Sequence, residues 1–431
     1  MPKIKLVKKK SVKKKSDKKK SDEQIKKKFD KNQYNLIFNE DYLKQDNLKY
    51  NSKNDDNIDI IKDKIYKDLN ITNDIYSIFF TSGEIESNTI VICAIINAYK
   101  NLRKVIPHVA LSSVESHSIN KYLLSLKDSG QITLTIIKPN VYGCILSEHI
   151  VKAINENTCC VIVSYINREM GSVNNINIIG DILHKQTPPI PLHCDCSYMY
   201  GRHKLDLTKD NIDSAVISFD KIHGNYGIGA IVIKNDLLNG YKLKDQSITL
   251  DDKRKVNIPL LTMGYKMIEN NLKDRKTKNE KMLNIKKYFV NQLASKFDMI
   301  SYLDYINSDS APLTETKQSK CKVIILGPPI DNSQYYTYCI LSVIFICNAD
   351  YNKEVDDIEE NSNTFATSIK DKLVKKKILV DMPDLKSNAE ILYKELNMES
   401  KLKEGILRFF ISDDITQAYI DTLIAALTTS V

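Results

Sequence analysis

Residues 214–230 read SAVISFDKIHGNYGIGA, an apolar run that ends in a lysine and a glycine-rich turn before the chain becomes apolar again. Such runs recur upstream, and we expect buried strands at residues 77–81, 108–112, 132–137, 160–165, 191–194, 214–218 and 230–233. Helical patterns fall at residues 58–69 and 87–100. Because the apolar runs are continuous rather than alternating, the strands should be buried on both faces. The sequence predicts an α/β fold with a largely parallel sheet.

The C-terminal part of the chain has a different pattern. A long helical stretch at residues 259–297 precedes strands near residues 322–326 and 338–346, a Lys-rich helix that ends near Lys377, and a final helix from Thr416. This order predicts a smaller α+β domain. We therefore divide the chain into an N-terminal tail at residues 1–30, a large domain at residues 31–260 and a small domain at residues 261–431.

The basic charge of the chain lies in its first residues. Residues 1–28 contain fourteen lysines and three acids, which gives this segment a net charge of +11. The whole chain carries +9, so residues 29–431 carry a net charge of −2. Such a Lys-rich block has little to bury and should be disordered. It predicts either a segment that binds nucleic acid or another polyanion, with nuclear or virion association, or a solvated extension without a partner.

Composition limits the class of protein. With 431 residues and 42% apolar content the chain can bury a large core, and its apolar runs are far shorter than a membrane span of about 20 residues. We expect no membrane partner. The charged start lacks a secretory signal pattern, which predicts a cytoplasmic protein. Nine scattered cysteines predict reduced thiols rather than a disulfide framework.

Three segments carry residues suited to chemistry. Residues 81–88 read TSGEIESN, where Gly83 begins a predicted helix whose free amides could cradle a phosphate. An ordinary capped helix would look the same. Asp195 and Lys221 follow neighbouring predicted strands. An aspartate and a lysine at strand ends are what a pyridoxal cofactor needs, one for its ring nitrogen and the other for a Schiff base.

The order and spacing of these segments over residues 58–426 resemble the NifS-like cysteine desulfurases, of the class V aminotransferases. Five blocks match in sequence, and they are residues 81–88, 114–118, 167–171, 193–202 and 218–230. Residues 407–409, LRF, resemble a further block. The resemblance implies pyridoxal-phosphate (PLP) fold type I, with a mostly parallel seven-stranded sheet, a homodimer and an amino-acid substrate. The composition and altered motifs also resemble NifS-like proteins of large DNA viruses.

The resemblance assigns roles to individual residues. It makes Lys221 the Schiff-base lysine, Asp195 the partner of the pyridine nitrogen, and Arg408 the group that holds the substrate carboxylate. The residues placed around the cofactor are Gly83, His117, Asn167, Ser218 and Asn257. For Ser218 and Asn257, a retained scaffold role without function is an equal alternative.

Four positions with a cofactor role in the family depart from its pattern, namely Ile85, Ser116, Tyr198 and Asp220. Glu84 also stands where the family's Thr-Ser-Gly-Ala-Thr-Glu-Ser-Asn block has alanine. Ile85 replaces the phosphate-binding threonine, and Ser116 replaces the histidine that stacks on the ring. Asp220 replaces a histidine near the phosphate. A carboxylate about 4 Å from a phosphate costs on the order of 4 kcal/mol at an effective dielectric near 20. Asp220 could escape this by pairing with Lys221, which would occupy the amine.

The family's nucleophilic cysteine is also missing from the pattern. It belongs in a loop after a strand that matches residues 377–380, yet residues 348–431 contain no cysteine. Sulfur transfer needs a thiolate at that place. The sequence thus predicts a NifS-like PLP protein without desulfurase activity, or alternatively a cofactor-free pseudoenzyme that binds or scaffolds. A zinc site at His193, Cys194 and Cys196 is a weaker third hypothesis, because strand alternation separates His193 from the thiols and structural zinc sites favour Cys-x-x-Cys spacing.

Overall fold

The computed structural model describes residues 36–38, 58–222, 227–246, 250, 256–307, 321–330, 337–347, 365–382, 392, 394–396, 398 and 405–430. The predicted N-terminal tail at residues 1–30 lies outside these ranges. The segment at residues 383–391, where the family's cysteine loop belongs, also lies outside them.

A seven-stranded sheet forms the larger part of the fold. Its strands are β2 (Tyr76–Thr81), β3 (His108–Ser112), β4 (Thr133–Ile137), β5 (Thr158–Ile162), β6 (Leu192–Asp195), β7 (Ser214–Ser218) and β8 (Gly229–Lys234). The spatial order is β2-β8-β7-β6-β5-β3-β4. Neighbours from β7 to β4 run parallel, whereas β8 is antiparallel to both β7 and β2. The predicted mostly parallel, seven-stranded α/β sheet is confirmed.

Helices flank this sheet because their apolar faces match its two buried surfaces. They are α1 (Ile58–Asp68), α2 (Glu84–Arg103), α3 (His117–Asp128), α4 (Ser147–Ala153), α5 (Ile176–His184) and α6 (Asn235–Gly240). The strands β3, β5, β6 and β7 are buried along their whole length. This double-sided burial explains the largely apolar sequences of β3, β5 and β7.

A second, smaller sheet follows in the chain. Its strands are β9 (Asp298–Ser301), β10 (Cys321–Leu326), β11 (Ile340–Cys347) and β13 (Ile406–Phe410), in the order β13-β11-β10-β9. A separate parallel pair joins β1 (Leu36–Phe38) to β12 (Ile378–Val380). The accompanying helices are α7 (Ile258–Lys273), α8 (Arg275–Lys296), α9 (Tyr302–Asn307), α10 (Phe365–Lys375) and α11 (Gln417–Thr428).

Several details differ from the sequence-based expectation. The helical stretch predicted at residues 259–297 is two helices, because the chain breaks at Asp274 between α7 and α8. Cys321 is disulfide-bonded, so the expectation that all thiols are reduced is wrong. Antiparallel pairing of β10 with β11 places Cys347 opposite Cys321, a proximity that linear spacing does not reveal.

The parallel strands position the site. Because β6 and β7 run in the same direction, Asp195 and the 3-10 turn Phe219–Ile222 emerge at one edge of the sheet. The antiparallel β8 returns along β2, whose end leads into Gly83 and α2. Within the described ranges, no helix has the length and apolarity needed to cross a membrane.

Candidate functional site

A cleft of about 450 Å³ opens at the carboxyl edge of the large sheet. Its walls are the turn after β2, the start of α3 and the turn after β7. The lining residues are Ser82, Gly83, Glu84, Ile85, Glu86, Ser116, His117, Ser118, Arg168, Asp220, Lys221 and Gly227. The cleft therefore brings together two of the segments that the sequence singled out, and Asn88 connects the third to them through Asp195.

A hydrogen-bonded group outside the cleft lining, which we call the ring end, consists of Asn88, His193 and Asp195. Asn88 donates from Nδ2 to Asp195 Oδ2 at 2.8 Å, and its Oδ1 lies 2.9 Å from His193 Nε2. The other ring nitrogen of His193 lies 2.8 Å from Ser214 Oγ. The backbone N–H of Ser197 donates to Asp195 Oδ1 at 2.9 Å. Asn88 thus links β6 to the first turns of α2.

Burial governs ionisation at the ring end. Loss of solvent lowers the pKa of His193 to about 3, so the imidazole is neutral and Ser214 and Asn88 fix its orientation. Burial raises the pKa of Asp195, against hydrogen bonds from Ser197 and Asn88 that lower it. Asp195 is 7% exposed.

Lys221 lies in the 3-10 turn between the ring end and the mouth of the cleft. Its Nζ is 3.3 Å from Asp220 Oδ2 and 3.7 Å from Glu84 Oε2. The same Nζ lies 5.7 Å from the ring centre of Tyr198. Asp220 thus pairs with the lysine as the sequence led us to expect, and Glu84 supplies a second carboxylate.

The outer end, which we call the phosphate end, is formed by Gly83, Glu84, Ile85, Glu86 and Asp220. Gly83 has φ +144°, a conformation that favours glycine, and it precedes α2. The side chain of Ile85 is 65% exposed and offers no hydrogen bond.

Donors near the phosphate end have partners within the protein. Glu86 Oε2 accepts from the backbone N–H of Ser82 at 2.6 Å and from its hydroxyl at 2.7 Å. The hydroxyl of Ser218 donates to Asp220 Oδ1. Ser218, expected to contact phosphate, therefore bonds to the carboxylate that replaces the family's histidine.

These contacts decide whether the residues present fit PLP. Three carboxylates, on Glu84, Glu86 and Asp220, line the end where the cofactor's phosphate belongs. These carboxylates would repel a phosphate bound beside them. The hydroxyl of Ser218 already donates a hydrogen bond to Asp220. Asp195 and Lys221 are in place at the ends of β6 and β7, but the phosphate end does not fit a phosphate group.

Two other predicted site residues have local structural contacts. Asn167 donates from Nδ2 to the carbonyl of Gly143, and its Oδ1 accepts from the backbone of Glu169 and Met170. Asn257 caps α7 by accepting from the N–H of Leu260 at 3.1 Å.

His117 is the first residue of α3 and lines the cleft. Its Nδ1 is buried and has no hydrogen-bond partner among the described residues. A contact of this side chain with a bound ring stays a prediction.

Arg408 is held in a buried ion-pair group. Nη1 lies 2.5 Å from Glu169 Oε2 and Nη2 lies 2.7 Å from Asp381 Oδ2. Although burial opposes it, the charges of Glu169 and Asp381 hold the pKa of the Arg408 guanidinium above its usual value. The arginine expected to bind a substrate carboxylate thus already has two carboxylate partners.

Sequence reasoning missed Glu84, Asn88 and the partners of Arg408. Glu84 had a signal, because it stands where the family motif has alanine. Asn88 closes the same motif, yet its contact with Asp195 spans 107 positions of sequence. Glu169 is 239 positions from Arg408, so no local pattern links them.

The zinc hypothesis finds no arrangement to support it in the part of the chain that the structure describes. No group of three or more His, Cys, Asp or Glu side chains is placed to hold a metal there. The ring nitrogens of His193 both have hydrogen-bond partners, and Cys194 and Cys196 are buried free thiols.

Comparisons with known proteins agree with this architecture. Residues 46–249 match the Aminotransferase class-V family. NifS of Bacillus subtilis (strain 168) is 27% identical over 263 residues, which cover 58% of this chain and 60% of that protein. The cysteine desulfurase IscS of Plasmodium falciparum (isolate 3D7) is 32% identical over 157 residues, covering 36% of this chain and 28% of that protein. The matches thus span less than two thirds of each of these relatives.

Solved structures extend the similarity of fold over most of the chain. A NifS-like protein has a TM-score of 0.67 at 16% identity, covering 91% of this chain and 98% of that one. A NifS-like protein from Rickettsia africae has a TM-score of 0.63 at 16% identity, covering 86% and 87%. At this identity the likeness concerns the fold. With the seven-stranded sheet, the second smaller sheet and the class-V match over residues 46–249, the chain is similar to NifS-like members of the class-V aminotransferase family and shares the fold of NifS-like structures.

Proposed function

We propose that this chain is a cofactor-free NifS-like pseudoenzyme that acts as a binding or scaffold protein. The observation that carries the proposal is the pair of carboxylates on either side of Lys221, namely Asp220 at 3.3 Å and Glu84 at 3.7 Å. They occupy the amine that the family uses for its cofactor, and they also oppose the cofactor's phosphate.

The electrostatic cost of binding PLP is large. A phosphate about 4 Å from one carboxylate is disfavoured by on the order of 4 kcal/mol at an effective dielectric near 20. That corresponds to roughly three orders of magnitude in affinity. Glu84 adds to the effect of Asp220, since its side chain is only 15% exposed and solvent screens it incompletely.

Two further observations argue against cysteine desulfuration. Residues 348–431 contain no cysteine to accept sulfur. Arg408 is 2% exposed and paired with Glu169 and Asp381, so a substrate carboxylate would have to displace two carboxylates. Substrate binding in the family manner is therefore disfavoured as well as sulfur transfer.

The charge of the N-terminal segment and the family resemblance each indicate a partner for such a protein. The +11 balance of residues 1–28 is suited to nucleic acid or another polyanion. A homodimer is the assembly that the family implies. We propose both as partners, with the Lys-rich segment as the polyanion-binding element.

Visible absorbance tests the loss of the cofactor. Purified protein is titrated with PLP and compared with Lys221→Ala, which removes the amine. We expect the two proteins to give the same spectrum, without the visible band of lysine-bound PLP. A band that Lys221→Ala abolishes would overturn the cofactor-free proposal.

Deletion of residues 1–28 tests the binding function independently. The full chain should bind duplex DNA or heparin with an affinity that falls steeply with salt, and the deletion should abolish binding. Binding that survives the deletion unchanged would refute the role of the Lys-rich segment.

The second candidate function is a weakened PLP enzyme that acts on an amino acid. Asp195 and Lys221 favour it, because both lie at the edge of the large sheet and Asn88 donates a hydrogen bond to the aspartate. If bound, PLP would supply an electron sink for amino-acid chemistry. The absorbance titration distinguishes this candidate from the pseudoenzyme.

A further inference from the structure

A second, smaller pocket lies beside the cleft and shares no lining residue with it. It is formed by the turn after β6, the end of α7, the start of α8 and the segment after β13. Its lining residues are Gly201, Arg202, Asn271, Arg275, Lys278, Asn279, Met282, Ile411 and Asp413. The cavity measures about 20 Å³, which exceeds the minimum of about 10–15 Å³ that one water molecule needs.

The charges of this pocket are unbalanced. Arg202, Arg275 and Lys278 are cationic, and Asp413 is the one acidic residue that lines it. Lys278 Nζ lies 3.9 Å from Asp413 Oδ2 and donates to Asn271 Oδ1 at 2.9 Å. Arg275 donates from Nη1 to the carbonyl of His203 at 3.3 Å. One carboxylate thus faces three cations.

Arg202 is the buried member of the group, with 7% of its surface exposed. Its Nη2 donates to the backbone carbonyl of Lys221, and its guanidinium lies 5.8 Å from the ring centre of Tyr198. Among the described residues, Nη1 has no hydrogen-bond partner, and no carboxylate pairs with this side chain. A buried guanidinium with an unsatisfied donor favours an anionic ligand.

The start of α8 adds to the positive potential. Arg275 and Lys278 lie in its first turn, where the helix dipole already places positive charge, and that turn contains no acidic residue. Asp274 precedes the helix but makes no side-chain capping bond. Nearby, burial together with Arg202 and Arg275 lowers the pKa of His203 to about 4. The imidazole therefore stays neutral within a positive environment.

We propose that this pocket binds a small monovalent anion, which is either a halide ion or the carboxylate group of a small molecule. The anion would contact Arg202, Arg275 and Lys278 and neutralise the excess of positive charge. Because Arg202 also holds the carbonyl of Lys221, the ligand would stabilise the turn that carries this lysine. The inference does not depend on whether the cleft holds a cofactor.

Chloride-35 NMR of the full chain tests the site, since exchange of chloride with a protein site broadens the resonance. Wild-type protein should give excess broadening that sodium bromide or sodium acetate displaces. Displacement at lower concentration by acetate than by bromide would identify the carboxylate group as the preferred ligand, and the reverse order would identify the halide.

Substitutions locate the binding. Arg275→Gln and Lys278→Gln should each weaken the anion about fivefold, and Asp413→Asn should tighten it about fivefold, as expected for charges at contact range that solvent partly screens. Lys276→Gln is the matched control, because Lys276 is exposed in the same helical turn and does not line the pocket. It should change affinity less than about twofold.

Two results would overturn the proposal. One is the absence of excess broadening in the wild-type protein. The other is an equal loss of broadening in Lys276→Gln and Lys278→Gln, which would mean that chloride responds to the general charge of the surface. Asp413→Asn guards against misfolding as an explanation, because its predicted effect is a gain in affinity.

Discussion

The ring end and the phosphate end lie at the same edge of the large sheet but differ in how their polar groups are satisfied. At the ring end, Asn88 joins His193 and Asp195 in a buried network in which the ring nitrogens and the carboxylate have partners. At the phosphate end, Glu84 and Asp220 crowd around Lys221. The ring end retains the polar arrangement that the family resemblance implies, whereas the phosphate end has acquired charges that oppose it.

The difference distinguishes residues that stabilise the fold from residues at the place where the family binds the cofactor's phosphate. Asn88 connects α2 to the central strand β6, so its loss would disturb the sheet as well as the cleft. Ile85 is 65% exposed at the rim of the cleft, so its substitution should cost little stability. Asn88 and Asp195, which the fold ties together, match the family motifs, whereas Ile85 and Asp220 depart from them.

Removal of Arg408 should give the largest loss of stability. Arg408→Met leaves Glu169 and Asp381 without their cation, and breaking such a buried pair costs about 3–5 kcal/mol in the free energy of unfolding. Urea unfolding measures this, with the exposed Arg103→Met as control. A loss below about 1 kcal/mol would indicate that Arg408 is free for a ligand rather than part of the core.

Disruption of the ring end should give the second-largest loss of stability. Asn88→Ala removes hydrogen bonds to both Asp195 and His193 and leaves two buried polar groups unsatisfied, which should cost about 2–4 kcal/mol. Asn97→Ala, on an exposed position of the same helix, should cost much less. If chemical denaturation shows equal losses for the two variants, the ring end is not a structural network.

The pH dependence of stability tests the charge of Asp195. Its folded-state pKa is raised by burial, so its contribution to stability is full below the unfolded pKa near 3.8 and is lost as pH rises through the folded value. Asp195→Asn should therefore flatten the decline of unfolding free energy above pH 3.8 relative to the wild type. The exposed Asp128→Asn should leave the profile unchanged. Parallel profiles for wild type and Asp195→Asn would contradict the assignment.

Substitution at the phosphate end should have the smallest effect on stability. Glu84→Gln removes one of two carboxylates near Lys221 and should change the free energy of unfolding by less than about 1 kcal/mol. Thermal unfolding measures the change. A loss comparable to that of Asn88→Ala would show that Glu84 belongs to the structural network, and the contrast between the two ends would fail.

The fold could be predicted well from the sequence for a physical reason. Strands buried on both faces leave continuous apolar runs, and β3, β5, β7 and β8 carry that signal. The direction of β8 leaves no such signal, because a strand reads alike in either orientation. The break at Asp274 was missed because polar helical patterns continue on both sides of it. The boundary at residues 260/261 stays a prediction.

The site could be predicted only in part. The motifs located Asp195, Lys221 and Gly83, which the fold brings to one edge. The ion pair of Arg408 with Glu169 and the hydrogen bond from Asn167 to the carbonyl of Gly143 form only when separate segments fold together. Spacing along the chain therefore cannot reveal them. Glu84 was visible as a departure from the motif, but its approach to Lys221 becomes apparent only in three dimensions.

The most direct test of the account restores the phosphate end. The triple variant Glu84→Ala, Ile85→Thr and Asp220→His returns these positions to the family pattern, and PLP affinity is measured for it and for the wild type by equilibrium dialysis. We predict an increase of at least about a hundredfold, since each removed carboxylate is worth several kcal/mol at contact distance. Equal affinity of the two proteins for PLP would contradict the claim that carboxylates exclude the cofactor.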